Sequence, residues 1–279
     1  MSQSKATVAD EVKFSGIGIH SGRKVDLSLK PSSSGKIVFC LEHRDHATLH
    51  PDPQHVEALY SSILGEGENK VHTVEHLMAT LFALGVDSVD VVLNGDEIPI
   101  MDGSALPFAN AIQKCGIRPL NREKRSMKIL KSFTIQEKDF TVSVEPDDLF
   151  RISYTIDYDH PAIGAQFLEL VVNKDSFVTE IAPARTFGFF KDVADLREQG
   201  LSQGGSLENA LVLDEEKIIN GPLRYEDEFV RHKILDFIGD LSLLGYPLRG
   251  NFCAHKAGHY AHLKAVQFLL DNPACYCLQ

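Results

Sequence analysis

Hydrophobic and polar positions along this chain switch between two periods. Over residues 10–40 the segments VKFSGIGIHSGRKVDLSL and KIVFCLEH alternate apolar and polar side chains and are broken by Gly and Ser, which predicts strands. From 73 to 84 the period lengthens: TVEHLMATLFAL puts Val74, Leu77, Met78, Leu81 and Phe82 on one helical stripe. Thr73 is expected to cap this helix, Glu75 suits its positive N-terminal end, and Gly85 stops it. SVDVVLNG (88–95) reads as a strand and turn, and IPIMDGSALPF (98–108) as a loop entering a helix.

Beyond the polar stretch at 121–127 the strand pattern resumes in KILKSFTIQ, FTVSVEP, FRISYTIDY and LELVVN. Residues 178–213 mix short helix and loop around Gly188, Gly200, Gly204 and Gly205. A second strong helix spans 226–244, with acids in its first turn and Gly245 and Pro247 beyond its end. Val230, Ile234, Phe237, Ile238, Leu241 and Leu244 form its apolar stripe; a last helix runs from about 259 to 270. Strands in runs, without strict βαβ alternation, favour an α+β fold. The expected organisation is a first α+β domain at 1–122, a linker at 123–127 and a second α+β domain at 128–279, with no close sequence repeat between them.

Composition narrows the function. The 279 residues carry a formal net charge of −11, which argues against a nucleic-acid binder because such proteins need a basic footprint. The five cysteines are scattered, odd in number and without a C-x-x-C pair, which suits a reducing cytoplasm better than a disulfide framework. Cys275 and Cys277 are expected in a frayed tail. The N-terminus lacks a signal-peptide pattern and no apolar run approaches a membrane span, so the chain is expected to be soluble or at most peripheral to a membrane. A monomer is the expected state.

Two helices carry the candidate chemistry. On the 226–244 helix, His232, Asp236 and Asp240 step along the side opposite the apolar stripe, each four residues apart, with Lys233 at its edge. On the 73–84 helix His76 shares a face with Ala79 and Ala83, whose small side chains allow a second element to come close. His76, His232 and Asp236 make the two-imidazole, one-carboxylate ligand set of a catalytic zinc, and Glu75 stands where a general base belongs. Spacing alone leaves the alternative open, since an i, i+4 His/Asp pair equally describes a surface salt bridge.

Longer segments go further. TVEHLMATL (73–81), EIPIMDGSALPF (97–108), APARTFGF (182–189), EFVRHKILDFIGDL (228–241), KAGH (256–259) and GIGIHSG (16–22) together resemble the UDP-3-O-acyl-N-acetylglucosamine deacetylases, zinc amidases of lipid A biosynthesis. The resemblance covers nearly the whole chain. It implies two domains of similar topology, each with a mainly antiparallel sheet, helices packed between the sheets, and a site at their junction. It implies one zinc per chain (iron(II) is compatible with the ligand set) held by His76, His232 and Asp236. Glu75 is then the base, His259 the acid oriented by Asp240, Thr186 the oxyanion donor, and Lys233 a neighbour of the site. An acylated UDP-sugar is the implied substrate. An insert at about 187–213 would form an acyl passage walled by Phe187, Phe190, Val193, Leu196, Ala210 and Val212, with Tyr158 near the head group and Lys233 and Lys256 as candidates for the diphosphate. Ser202 and Gln203 are more polar than such a passage suggests. The alternatives are an amidohydrolase for another acylated sugar and a silent binding protein.

Other residues have blander readings. The loop with His43, His46, His50 and His55 is expected to be solvated, Asp102-Gly103-Ser104 to be a turn, His72 and His262 to face solvent, and His160 to lie near the substrate. His20 either reaches the site or satisfies a turn. Arg185 is either a structural ion-pair partner or a ligand contact.

Overall fold

A computed structural model describes residues 3–58 and 60–279. Alternation of buried and exposed positions drives the strands. Val25, Leu27 and Leu29 turn inward along Lys24–Pro31, as do Val89, Val91 and Leu93 along Val89–Leu93. These two strands pair antiparallel at the centre of a five-stranded sheet with Val12–Ile17, Ile37–Leu41 and Ala47–Leu49. Ile37–Leu41 runs parallel to Val89–Leu93, and its other neighbour is antiparallel. A second, seven-stranded sheet is built around Leu248–His255, which pairs antiparallel with Thr141–Glu145 and parallel with Phe150–Tyr158. The chain is thus α+β with largely antiparallel sheets, as expected, although a few parallel pairs occur.

Four helices lie between these sheets: α1 (Glu75–Leu84), α2 (Leu106–Cys115), α3 (Glu228–Leu241) and α4 (His259–Asp271). Helix α2 packs on α1 and Val12–Ile17, α1 packs on α3, α3 packs on Phe150–Tyr158, and α4 packs on Thr141–Glu145 and α3. Nearly all of α1 and α3 is therefore buried, charged residues included. Among the described residues no helix is long and apolar enough to cross a membrane.

Three local expectations need correction. Thr73 does not cap α1: Val74 stands at the cap without a side-chain bond, and Thr73 has φ +59° with its hydroxyl donating to Glu97 Oε1 at 3.1 Å. Gly85 does end the helix, in the left-handed conformation at φ +75°. The polar stretch at 121–127 is mostly strand, because Ile117–Lys124 pairs with Gln3–Val8; only Arg125 and Ser126 separate it from the strand at Met127. Every ladder joins partners on the same side of those two residues. Cys275 and Cys277 are not in a frayed tail, since Tyr276–Leu278 pairs with Met127–Ile129.

One contact fixes the middle of the molecule. At Gly239 of α3 a Cβ would lie 2.3 Å from the carbonyl oxygen of Glu75 and 2.9 Å from its Cα. Backbone faces backbone there, so no side chain can yield. Gly239→Ala is expected to cost about 1–3 kcal/mol of stability, the usual range for overpacking. Denaturant unfolding measures this, and an unchanged midpoint would show that the helices part freely.

Candidate active site

The first turn of α1 supplies Glu75 and His76. Helix α3 supplies His232, Lys233, Asp236 and Asp240 at successive turns, and α4 begins with His259. The salt-bridge alternative for His232 and Asp236 is excluded as a surface feature, because both are 2% exposed. His232 Nε2 lies 3.4 Å and His76 Nε2 3.8 Å from Asp236 Oδ1, and the two imidazoles meet edge to face at 5.1 Å. One donor atom from each residue falls within 4.8 Å of the others. His232 Nδ1 must carry a proton, since it donates to the Ala184 carbonyl at 3.1 Å, which leaves Nε2 as a free lone pair.

A divalent cation fits this donor set. Burial first, then the neighbouring His232, pushes the His76 imidazole down to about 3, so it stays a neutral donor, and its buried Nδ1 has no hydrogen-bond partner among the described residues. Burial also lowers the His232 pKa. Burial works against an ionised Asp236, yet His232, Lys233 and His259 together hold its carboxyl well below the usual range; Lys233 Nζ donates to Oδ2 at 3.0 Å. Glu75 is pushed up to about 8, chiefly by burial, with Asp236 and Asp240 adding to it against His259. Three carboxyl groups thus face two cationic side chains, all of them buried except Lys233.

The other half of the site is a hydrogen-bonded cluster around Asp240. His259 Nδ1 donates to Asp240 Oδ2 at 2.7 Å, and His262 Nδ1 donates to the same oxygen at 2.8 Å. The Ser62 hydroxyl donates to Asp240 Oδ1. Burial opposes a charged His259, but Asp240, then Asp236 and Glu75, raise it to about 9. Its Nε2 lies 3.8 Å from Glu75 Oε1 and 3.9 Å from Asp236 Oδ2. The Ser62 N–H donates to Glu75 Oε2 at 3.1 Å, so one residue touches both the carboxylate and the imidazole system.

Sequence reasoning missed Ser62 and misplaced His262. The latter is fully buried and its Nε2 meets the Tyr154 hydroxyl at 2.9 Å; its only signal was the i, i+3 spacing from His259. Arg185 is structural: Nε and Nη2 donate to the fully buried Glu228 at 2.8 and 3.1 Å. Ser104 and Asp102 form a turn, with Arg224 Nη2 on Asp102 at 2.8 Å. His43 pairs with Asp96, and His55 lies beside Asp52 and Glu66, so the histidines of that loop do not converge. His72 is half-buried, and His160 is buried with Nε2 donating to the Asp214 carbonyl at 2.8 Å.

The expected insert is a short parallel ribbon, Phe187–Phe189 beside Leu211–Leu213, joined through a helix at Val193–Glu198. Alternation puts Phe187, Phe189, Leu211 and Leu213 on one face and Gly188 and Val212 on the other. Phe187 turns toward the site, its ring 6.2 Å from that of His232 and 5.7 Å from Tyr158, with Lys233 Nζ 5.5 Å above it. Val193, Leu196, Ala210 and Val212 remain half-buried, and Phe190 is 63% exposed. Thr186 precedes Phe187, its N–H bonded to the Gly103 carbonyl at 2.8 Å. Lys256 pairs with Asp157 at 2.6 Å, next to Tyr158.

Two imidazoles and a carboxylate gathered for a cation, beside a buried carboxylate and a cationic histidine, define a metal-dependent hydrolase. The family model for "UDP-3-O-acyl N-acetylglycosamine deacetylase" matches residues 5–271. The chain is 43% identical over 271 residues to the UDP-3-O-acyl-N-acetylglucosamine deacetylase of Thermodesulfovibrio yellowstonii, covering 97% of this chain and 92% of the relative. It is 43% identical to that of Myxococcus xanthus (99% and 89% covered) and 44% to that of Oleidesulfovibrio alaskensis (98% and 90%). The chain belongs to the UDP-3-O-acyl N-acetylglycosamine deacetylase family.

His232→Ala is expected to leave well under one equivalent of divalent metal per chain after loading and dialysis, read by elemental analysis. A full equivalent retained would remove His232 from the donor set.

Proposed function

We propose that this chain hydrolyses the acetamide of UDP-3-O-acyl-N-acetylglucosamine, releasing acetate and the free amine of the sugar nucleotide, with zinc held by His76, His232 and Asp236. The observation that carries the reading is the convergence of Glu75 and His259 on those three donors from two different helices. A divalent ion bound there supplies Lewis acidity and makes water nucleophilic near neutral pH. Zinc suits two imidazoles and a carboxylate with one position open, and metal analysis of the purified protein distinguishes it from iron(II).

Glu75 takes a proton from the attacking water. Its position on the first turn of α1, bonded to the Ser62 N–H, keeps one carboxylate oxygen turned toward His259. The Thr186 hydroxyl donates to the carbonyl oxygen as it gains charge; loss of one such donor typically costs about 2.7–4 kcal/mol of barrier. Departure of the amine needs a proton, because an amide anion is a prohibitive leaving group. His259 delivers it from Nε2, while Nδ1 stays bound to Asp240, which keeps the ring charged and oriented. Lys233 holds Asp236 ionised.

Substrate recognition is assigned to the insert. Phe187 and Tyr158 present aromatic faces beside the site for the sugar, and Val193, Leu196, Ala210 and Val212 offer apolar surface to the acyl chain. Phe190 extends that surface outward. Lys256, held by Asp157 next to Tyr158, is a cation available for the diphosphate, as is Lys233. Five free cysteines suit a reducing compartment, and we assign the reaction to the cytoplasm.

Acetate release from the acylated UDP-sugar, with and without a chelator, tests the activity and its metal dependence. Glu75→Ala is expected to keep its metal and to lose about 10²–10⁴ in kcat, the usual share of a general base. Near-normal turnover in the metal-loaded variant would end that assignment.

A further inference from the structure

Glu97 is a buried carboxylate, 2% exposed, on the loop that follows the strand Val89–Leu93, and no step of the chemistry above uses it. It accepts three hydrogen bonds. Oε1 receives the His20 N–H at 2.8 Å and the Thr73 hydroxyl at 3.1 Å, and Oε2 receives the Ser21 N–H at 2.8 Å. A buried charge satisfied mainly by backbone donors fixes the backbone that supplies them. That arrangement needs a glycine at 18, because a Cβ there would fall 2.0 Å from Glu97 Oε2.

The loop held by Glu97 is in turn bonded to the insert. Gln203 N–H donates to the His20 carbonyl and Gly204 N–H to the Ile19 carbonyl, each at 3.0 Å. The approach is as close as backbone allows: a Cβ on Gly204 would lie 2.3 Å from the Gly18 carbonyl oxygen. Asn209 Nδ2 donates to the Gly204 carbonyl at 3.0 Å and carries the connection on toward Ala210 and the Leu211–Leu213 strand. A continuous series of hydrogen bonds therefore runs from Glu97, through residues 18–22, to the part of the insert that presents Leu196, Ala210 and Val212. Thr73, which donates to the same Glu97, lies two residues before Glu75, so the carboxylate that holds the 18–22 loop also holds the approach to α1.

We propose that Glu97 is a positioning residue for substrate recognition: by holding the 18–22 loop it fixes the insert over the site, and so governs affinity for the apolar arm of the substrate without taking part in the chemical step. This rests on the function assigned above. Glu97→Gln keeps the shape and replaces one acceptor oxygen with a donor group that opposes a backbone N–H. It is expected to raise KM for the acylated UDP-sugar about tenfold or more, the effect of losing one hydrogen bond to a charged group, with kcat and bound metal changed less than about threefold. Gly204→Ala breaks the same junction from the insert side and is expected to give the same split, so a misfolded Glu97 variant does not leave the question open. Hydrogen exchange of the metal-loaded protein supplies a readout independent of substrate: Glu97→Gln should speed exchange of amides in both 18–22 and 199–209. A loss confined to kcat, a loss of metal, or faster exchange in 18–22 alone would overturn the proposal. Failure of the wild-type protein to release acetate, with the exchange result intact, would count against the assigned reaction and leave the coupling standing.

Discussion

Everything in the centre of this molecule depends on how closely α1 and α3 approach. Only a glycine at 239 permits the backbone of Glu75 to come within van der Waals contact of α3. That approach brings Glu75 and His76 beside residues of α3 that a wider gap would leave apart. Because both helices lie between sheets, the groups meet away from water, where an unpaired charge is expensive and a paired one is strong. Burial pushes the Glu75 carboxyl up to about 8 and the His76 imidazole down to about 3, and a cation held among these groups would favour the ionised carboxylate.

Within that space two aspartates one turn apart have different surroundings. Asp240 accepts from Ser62, His259 and His262, so its lone pairs are committed to holding rings in place. Asp236 has one close donor, Lys233, on Oδ2, and its Oδ1 is left facing two imidazole nitrogens that are too distant to bond it. His232 carries its ring proton on Nδ1, so its Nε2 lone pair and the Asp236 oxygen repel one another unless a cation joins them. This difference in partners, read from hydrogen bonds alone, separates the aspartate suited to a metal from the one suited to orienting a histidine.

Much of this was legible in the sequence, for a definite reason. Helices α1, α3 and α4 carry strong periodic stripes, and polar residues recurring at i, i+4 on α3 had to share a face whatever lay opposite. The same logic misjudged His262, because its partners Tyr154 and Asp240 come from a distant strand and another helix, and no local pattern announces them. Ser62 was invisible for the same reason. Residues 121–124, the end of the strand Ile117–Lys124, read as part of a polar linker because that strand forms a two-stranded ribbon with Gln3–Val8; with little surface to bury, it shows no hydrophobic alternation. Thr73 looked like an N-cap by residue type, but the left-handed turn it occupies directs its hydroxyl to Glu97. That conformation is unfavourable for a β-branched residue and persists only because its surroundings enforce it.

The polar residues of the insert follow from the same reasoning. Ser202 and Gln203 look out of place in a segment meant to meet an acyl chain, yet the segment must also be attached to the first half of the chain. It does so through main-chain groups, with Ser202 at φ +53° turning the chain so that Gln203 and Gly204 present their N–H groups to the 18–22 loop. Apolar side chains cannot supply that attachment, since it needs directional donors and a glycine-width approach. The ribbon that follows has two faces with different surroundings: Phe187 and Phe189 pack toward the core and the donor cluster, whereas Gly188 and Val212 lie on the reverse face, where a Cβ on Gly188 would meet nothing within 4 Å. That reverse face carries Val212, half-buried, and no side chain at Gly188, so it is free of the aromatic contacts beneath it. The ribbon thus turns its aromatic face to the donor cluster and leaves its reverse face open.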